Sequence, residues 1–366
     1  MYPSPSSPTP DLVVVGASFS GAACAIAAAQ RGLHVCVLER KHDPGEKLHT
    51  TGIIVKEAAE HTLLNQIPAA MTRRIEQVRL YAPNLEQATL AAPGYYFLTT
   101  DTPVVMRWLA GLMRDNGVDL RLGNAFTGCH RSLRGWAVDG LGDTRYLVGA
   151  DGARSRVARH CGLGQVQDFI HGVEYEFPGA MLAQPDALHC FISKRHAPGY
   201  IGWIAQNPTG IQAGLALRHT PSRKQVPDVD AFLLHAGIAG GLPRHLKPGH
   251  IRAGLIPCGG PVANLARDQV ILVGDAAGVV SPVTAGGIHS AWEHGWAVGR
   301  AIAAHLRDGG PPPEQVAVAS APRFRFKRAL RWAYDRLQYD WSFDLMLHSS
   351  PLRWAAEQVY FHKRGH

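Results

Sequence analysis

The sequence predicts an α/β protein: a parallel sheet domain, an antiparallel sheet inserted into it, and a helical C-terminal region. Three observations carry this. Near the start, a short apolar run, a glycine-bounded turn, an alanine-rich segment and a second apolar run follow one another within about thirty residues. Two further apolar runs end in Gly-Ala-Asp and Gly-Asp, at Tyr146–Asp151 and Val270–Asp275. Between and after them lie segments rich in Val, Ile, Phe and Tyr broken by Gly and Pro, the pattern of short antiparallel strands.

Composition sets the frame. The chain has 366 residues, 46% apolar and 18% charged, enough for two domains and a sizeable core. That composition excludes global disorder, collagen-like repeats and coiled coil. Lys and Arg number 37 against 29 Asp and Glu, a net charge of +8 that suits anionic ligands or surfaces. From Arg323 to His366 there are nine Lys/Arg and four Asp/Glu, so +5 of this charge lies in the tail. The six cysteines (Cys24, Cys36, Cys129, Cys161, Cys190, Cys258) stand singly with no Cys-x-x-Cys, against zinc fingers and dithiol redox motifs. Free thiols of this kind point to a reducing cytoplasm. Residues 1–10 are polar and proline-rich and are expected to form a disordered lead-in. The apolar run after them follows Asp11 and lacks a basic flank, unlike a signal peptide. No apolar run is long enough to cross a membrane.

The first strand is expected at Leu12–Val15, the turn at Gly16-Ala17-Ser18-Phe19-Ser20-Gly21, the helix up to Arg31-Gly32, and the second strand at His34–Leu38, ending in Glu39 and Arg40. This is a βαβ unit with an acid 18 residues after Gly21. Gly16 permits the tight turn and Gly21 lets the helix lie close to the sheet. The helix N-terminus offers free N–H groups to a pyrophosphate, and Glu39 can accept ribose hydroxyl protons. Ser18 replaces the usual middle glycine, supplying a small hydroxyl. Together these features predict a dinucleotide-binding, Rossmann-like domain.

The late segment decides which dinucleotide. Gly274-Asp275-Ala276-Ala277 leads through Ser281-Pro282-Val283-Thr284 to Gly286-Gly287-Ile288 and a helix expected from Ile288 to about Leu306. A nicotinamide dehydrogenase has no need of this element, whereas FAD needs anchors far from its adenosine end. Asp275 can accept from a ribitol hydroxyl, and the N–H groups at Gly286, Gly287 and Ile288 can stabilise charge on a reduced flavin ring.

At these motifs the sequence resembles the FAD-dependent oxidoreductases of the geranylgeranyl reductase family, within the para-hydroxybenzoate hydroxylase-like superfamily, over nearly the whole chain from Asp11. Gly278 stands where the hydroxylases carry a histidine, and the Ser281–Ile288 segment is similar to the reductase branch. Pro198–Ala205 resembles the aromatic strand that lines the reductases' lipid pocket, which implies Tyr200 and Trp203 as substrate contacts; from the residues alone Trp203 is equally a core side chain. The resemblance implies FAD contacts from Thr50 and Gly52 in the loop after the second strand, and from Arg107. His49 occupies the approximate place of the reductases' cysteine, Asp101-Thr102 replaces their Asp-Arg, and Arg159 is one position off their distal arginine. His49 is the side-chain candidate for proton supply or flavin tuning.

The expected organisation is an FAD-binding domain from 11–75, 101–164 and 263–310, a substrate domain from 76–100 and 165–262, and a helical region at 311–366. In the tail, Leu330, Tyr334, Leu337 and Trp341 share one helical face, and Arg328, Arg331 and Asp335 lie elsewhere. The plain reading is a helix packed on the FAD domain with a solvated basic face. The sharper one is a weak peripheral membrane contact.

The expected function is reduction of C=C bonds in a hydrophobic, prenyl-like substrate by hydride from reduced flavin. NADPH, NADH or another reductant, or an electron-donor protein, would supply the electrons. The alternative is an FAD-dependent monooxygenase or halogenase acting on a small aromatic or hydrophobic substrate. A nucleic-acid-binding protein lacks any supporting motif, and no metal site is expected.

Overall fold

The computed structural model describes residues 9–219, 225–346, 357 and 361. The expected lead-in, apart from Thr9 and Pro10, lies outside the described residues. The first sheet has six strands, ordered Ala266–Arg267, Val270–Leu272, Tyr146–Gly149, Leu12–Val15, Val35–Glu39 and Asp119–Leu122. All neighbours are parallel except the short 266–267 edge. The three central apolar runs are buried on both faces, as continuous β-branched strands require in a parallel sheet. On it lie the helix Phe19–Ala29 and the long helix Ile288–Asp308.

These two helices meet at unusually close range. A side-chain carbon at Gly295 would collide with the Ser20 carbonyl, and one at Gly299 with the Cys24 carbonyl. The two glycines, four apart on one face of the long helix, let the backbones touch.

A seven-stranded sheet covers the first domain. Its order is His250–Pro257, Phe169–Pro178, Gly210–His219, Ile201–Asn207, Ala187–Ile192, Gln77–Tyr81 and Gln87–Ala91. It departs from the expected antiparallel sheet at one seam, where Gln77–Tyr81 runs parallel to Ala187–Ile192. Those strands come from chain segments far apart in sequence, so no hairpin fixes their direction. Between the layers, Ile54–Val55, Phe97–Thr100 and Thr72–Ile75 form a small antiparallel sheet.

Of the expected apolar face, only Tyr334 docks the tail helix Arg325–Leu337. Leu330, Leu337 and Trp341 are exposed, and the inward residues are Arg331, Tyr334 and Gln338. Tyr334 Oη donates to the Tyr200 carbonyl (3.0 Å), Gly199 N–H donates to Gln338 Oε1 (2.6 Å), and Arg331 pairs with Asp335 (2.8 Å). The attachment is thus to the seven-stranded sheet, through hydrogen bonds that apolar periodicity does not register. Among the described residues no helix is long and apolar enough to cross a membrane.

Candidate active site

The site is a cavity of about 1360 Å³ between the seven-stranded sheet and the start of the long helix. Two loops and an apolar wall line it, and the glycine turn of the first βαβ unit lies outside the lining.

On the nucleotide side, Gly16 has φ +105°, and its N–H donates to the Leu38 carbonyl (2.8 Å). A side chain there would strike the Ala150 carbonyl, and one at Gly21 would strike Gly16. Only glycine meets both the backbone angle and the space. Ser18 is exposed at the N-cap of the helix and leaves its first turn without a side-chain cap. Glu39 Oε2 accepts from Ala17 N–H and Oε1 from Lys41 N–H, each at 3.0 Å. Each oxygen retains a second lone pair, so the carboxylate can still take hydroxyl donors. Arg40 is exposed beside it. Ser20 lies elsewhere than the turn mouth, buried in the contact between the two helices.

The flavin-side loops are Thr50–Gly52 and Ser281–Gly287. Gly52 N–H donates to Thr50 Oγ1 (3.2 Å), and Thr100 Oγ1 donates to the Gly52 carbonyl (2.9 Å). Gly286 and Gly287 open the long helix, whose N-terminus has no side-chain cap and faces the cavity beside Ile288. Asp275 is half-buried beside this turn, and among the described residues its carboxylate has no hydrogen-bond partner. Burial pushes its carboxyl up to about 6. Gly278, with φ +70°, lies so close to Gly260 that a side chain would collide with that backbone. The backbone itself therefore demands glycine at this position.

These features fit FAD. At Gly16 and Gly21 any side chain would strike the backbone, so the turn is bare at the helix N-terminus. The Asp275 carboxylate is a half-buried acceptor with no hydrogen-bond partner among the described residues, and the uncapped N-terminus of a 21-residue helix presents N–H donors. Asp151 of the middle motif is used locally instead. It accepts from Ser155 Oγ and Arg156 N–H (both 2.6 Å) and holds the start of the helix Arg156–His160.

The apolar wall includes Tyr200 and Trp203 together with Leu188, Cys190 and Ile256. Tyr200 Oη donates to the Thr284 carbonyl, which joins wall to loop. Burial raises the phenol's pKa, so it stays a donor.

His49 and Arg107 stand outside the cavity lining, as do the residues of the glycine turn, Glu39, Arg40, Gly52 and Asp275. The His49 ring turns to the strand His250–Pro257, where its Nδ1–H donates to the Ala253 carbonyl (2.7 Å). A carbonyl can only accept, so Nδ1 carries the proton and the ring clasps its loop to the sheet. Arg107 is bidentate to Asp43 (2.6–3.1 Å) and braces the same loop against the helix Thr102–Asp115. That pairing holds the Asp43 carboxyl below the usual carboxylate range.

Sequence reasoning missed the charges behind the wall. Trp203 Nε1–H donates to Glu174 Oε2 (2.7 Å), and Arg252 Nη1 lies 3.8 Å from Glu174 Oε1. Burial, only partly offset by Arg252, pushes the Glu174 carboxyl up to about 7. A signal was present: in the strand Phe169–Pro178, Ile170, Gly172 and Glu174 share the buried parity. The sequence also did not show that Cys129 and Cys161 stand with their sulfurs 3.5 Å apart. Among the described residues no group of three or more His, Cys, Asp or Glu could hold a metal.

Comparison with known proteins agrees with this geometry. Residues 143–314 match the family model described as FAD binding domain, and residues 11–98 the one described as FAD dependent oxidoreductase. The digeranylgeranylglycerophospholipid reductase 2 of Methanopyrus kandleri is 28% identical over 321 residues, covering 81% of this chain and 78% of that protein. The digeranylgeranylglycerophospholipid reductase of Methanocaldococcus jannaschii is 25% identical, covering 79% and 75%. In fold, the chain is similar to a geranylgeranyl bacteriochlorophyll reductase-like protein of Thermoplasma acidophilum, with TM-score 0.84, 17% identity and 97% of each chain covered. It is also similar to the myxobacterial chondrochloren halogenase, with TM-score 0.72, 19% identity and coverage of 97% and 91%.

Proposed function

We propose that this chain, an FAD-dependent oxidoreductase resembling the geranylgeranyl reductase family, reduces C=C bonds in the prenyl chains of a lipid. The reading rests above all on the cavity: an apolar wall of Tyr200, Trp203, Leu188, Cys190 and Ile256 faces the two loops that fit a flavin. The digeranylgeranyl substrates named for the relatives are of the same class.

When bound and reduced, FAD supplies hydride from N5 to one alkene carbon, and a proton completes the other. NADPH, NADH or another reductant restores the electrons. The chain's own residues do the rest. Gly16, Ser18, Gly21, Glu39 and Arg40 receive the adenosine and pyrophosphate, while Asp275 takes a ribitol hydroxyl. The N–H groups at Gly286, Gly287 and Ile288 would donate to the flavin, and the loop of Thr50 and Gly52 would help hold it. Tyr200 and Trp203 hold the polyene against it and keep water out. His49 and Arg107 fix the intervening loop rather than touch the reacting atoms.

The deciding experiment uses the FAD-loaded protein, reduced with dithionite and mixed with geranylgeraniol under nitrogen and, separately, in air. Products two mass units heavier under nitrogen support the reading. Oxygenated or halogenated product in air with none hydrogenated overturns it in favour of a monooxygenase or halogenase.

A membrane surface is proposed as the place where substrate is collected. Phe326, Leu330 and Leu337 form an exposed stripe on one face of the tail helix. Pro322, Phe324 and Lys327, at the head of that helix, line the cavity. The stripe and the cavity mouth therefore adjoin. We place the protein in the cytoplasm, reversibly at the bilayer surface.

A further inference from the structure

We infer that Glu174 and Arg252 are positioning residues that hold the indole of Trp203 and the Thr50 loop in one frame, fixing the apolar wall relative to the flavin-side loop. The inference rests on the reductase reading for its substrate side.

The sheet register carries it. Arg252, Glu174, Gly214 and Trp203 are consecutive cross-strand partners on four neighbouring strands. Between Glu174 and Trp203 stands Gly214, where any side chain would press on the indole. The missing side chain lets the ring lie across its neighbour strand and reach the carboxylate at 2.7 Å. On the other side of Glu174, Arg252 Nη1 donates to the Thr50 carbonyl (3.1 Å), while Nη2 contacts Glu176. One buried row thus touches the cavity at Trp203 and at Thr50.

The row is poorly explained as packing. Glu174 is 3% exposed and Arg252 9%, yet Glu174 Oε1 and Arg252 Nη2 have no well-formed hydrogen bond. Incompletely paired buried charges cost stability that apolar residues of similar size would not. What the charges add is direction: a carboxylate aims the indole N–H, and a guanidinium fork reaches two places at once. Hydride transfer needs reacting atoms about 3–3.5 Å apart, and a misplacement of about 1 Å costs about 10²-fold in rate.

The test uses the full chain and geranylgeraniol as probe. Its dissociation constant is read from the shift of the flavin visible band, FAD affinity from fluorescence of the apoprotein, and thermal midpoints in parallel. Glu174→Leu and Trp203→Phe are each expected to weaken geranylgeraniol about tenfold, a single hydrogen bond's worth. The double variant should be no weaker than either single, because both break the same contact. Glu174→Gln, whose amide oxygen still accepts from Nε1, should recover most of the affinity. Glu174→Leu, unlike Trp203→Phe, should also shift the flavin band or weaken FAD, through the loosened Arg252 and Thr50. Additive single effects overturn the inference, as does a Glu174→Leu protein with normal flavin spectrum and normal affinities and only a lower midpoint. If the wild-type protein binds no geranylgeraniol, the substrate reading fails by itself, and the flavin readouts alone decide the frame. If Glu174→Leu does not fold, Arg252→Lys, which keeps the charge but loses the fork, replaces it in the flavin arm; an unchanged spectrum and FAD affinity there overturn the frame.

Discussion

The phenol of Tyr200 donates its proton to the backbone carbonyl of Thr284, joining the aromatic strand of one sheet to the loop that opens the long helix of the other domain. The same residue's carbonyl accepts from Tyr334, so the tail helix is attached at this point too. Tyr200→Phe keeps the ring and removes one donor, leaving the Thr284 carbonyl unpaired. The expected cost is about 1 kcal/mol of stability, read as a lower thermal midpoint. Because loop 281–287 loses its tether, the Michaelis constant for a prenyl alcohol should rise more than the turnover number falls. An unchanged midpoint would show that the tether carries no weight.

Gly295 tests the closeness of the two helices. A methyl group there meets the Ser20 carbonyl inside contact distance, and backbone cannot give way as a side-chain end can. Gly295→Ala should destabilise the protein by about 1–3 kcal/mol. It should also weaken FAD, since the helix it displaces, Phe19–Ala29, presents its N-terminus to the glycine turn. Denaturant unfolding with and without FAD separates the two effects.

How far the sequence discloses all this depends on the range of the interaction. Gly16, Gly21 and Glu39 are legible because the βαβ unit is local: turn, helix and acid lie within 24 residues and each has a stated backbone reason. The late segment is legible for the same cause. The row of Arg252, Glu174, Gly214 and Trp203 is not, since its members come from four strands whose register no local pattern specifies. His49 and Arg107 are expected at the site only by resemblance to the reductases' cysteine and arginine, and partners on distant elements, Ala253 and Asp43, decide where their side chains point. The tail helix turns most of its apolar residues outward because Tyr334 and Gln338 find hydrogen-bond partners at Tyr200 and Gly199, while Arg331 pairs within the helix with Asp335.

Asp275 gives a pH signature. Its folded-state pKa, about 6, lies above the ordinary 3.8 because the carboxyl is buried. Below about pH 4 it is protonated in both folded and unfolded chains and costs nothing. As pH rises toward 6 the unfolded chain releases the proton first, so apoprotein stability falls across that window and stays reduced above it. Asp275→Asn should remove the fall, making the apoprotein more stable at pH 7–8 by about 1–3 kcal/mol, while changing little at pH 4. A hydroxyl donated by bound FAD favours the ionised form. FAD affinity of the wild-type protein should therefore rise from pH 5 to 7, and that of the variant should not.

Glu39→Ala removes the acceptor at the end of the second strand. A charged hydrogen-bond partner contributes about 1.5–3 kcal/mol, or about ten- to more than a hundredfold in dissociation constant. Part of the loss is indirect, because Ala17 N–H also loses its partner and the glycine turn loosens. Titration of apoprotein with FAD reads the total. A protein that stays fully yellow through dilution and gel filtration would contradict the assignment.

The tail helix should bind anionic bilayers weakly and in a salt-dependent way. Phe326 is 78% exposed and Leu337 62%, as is Trp341 at 66% in the next helix, Asp340–Met346, with Arg323, Arg325, Arg328 and Arg336 also at the surface. Near an anionic leaflet each such cation contributes about 1 kcal/mol, within a Debye length of about 8 Å at physiological salt. Three or four cations with an apolar stripe give reversible attachment, not anchoring. Vesicles of phosphatidylcholine with phosphatidylserine should co-sediment the protein at low salt and release it at about 0.5 M, where screening shortens the range. Phosphatidylcholine alone should hold far less. Phe326→Ser with Leu337→Ser should halve the bound fraction or more without moving the thermal midpoint, because neither side chain is buried against the sheet. Equal binding by neutral and anionic vesicles would assign the attachment to the apolar stripe without the arginines, and no binding at either salt would leave the helix as packing alone.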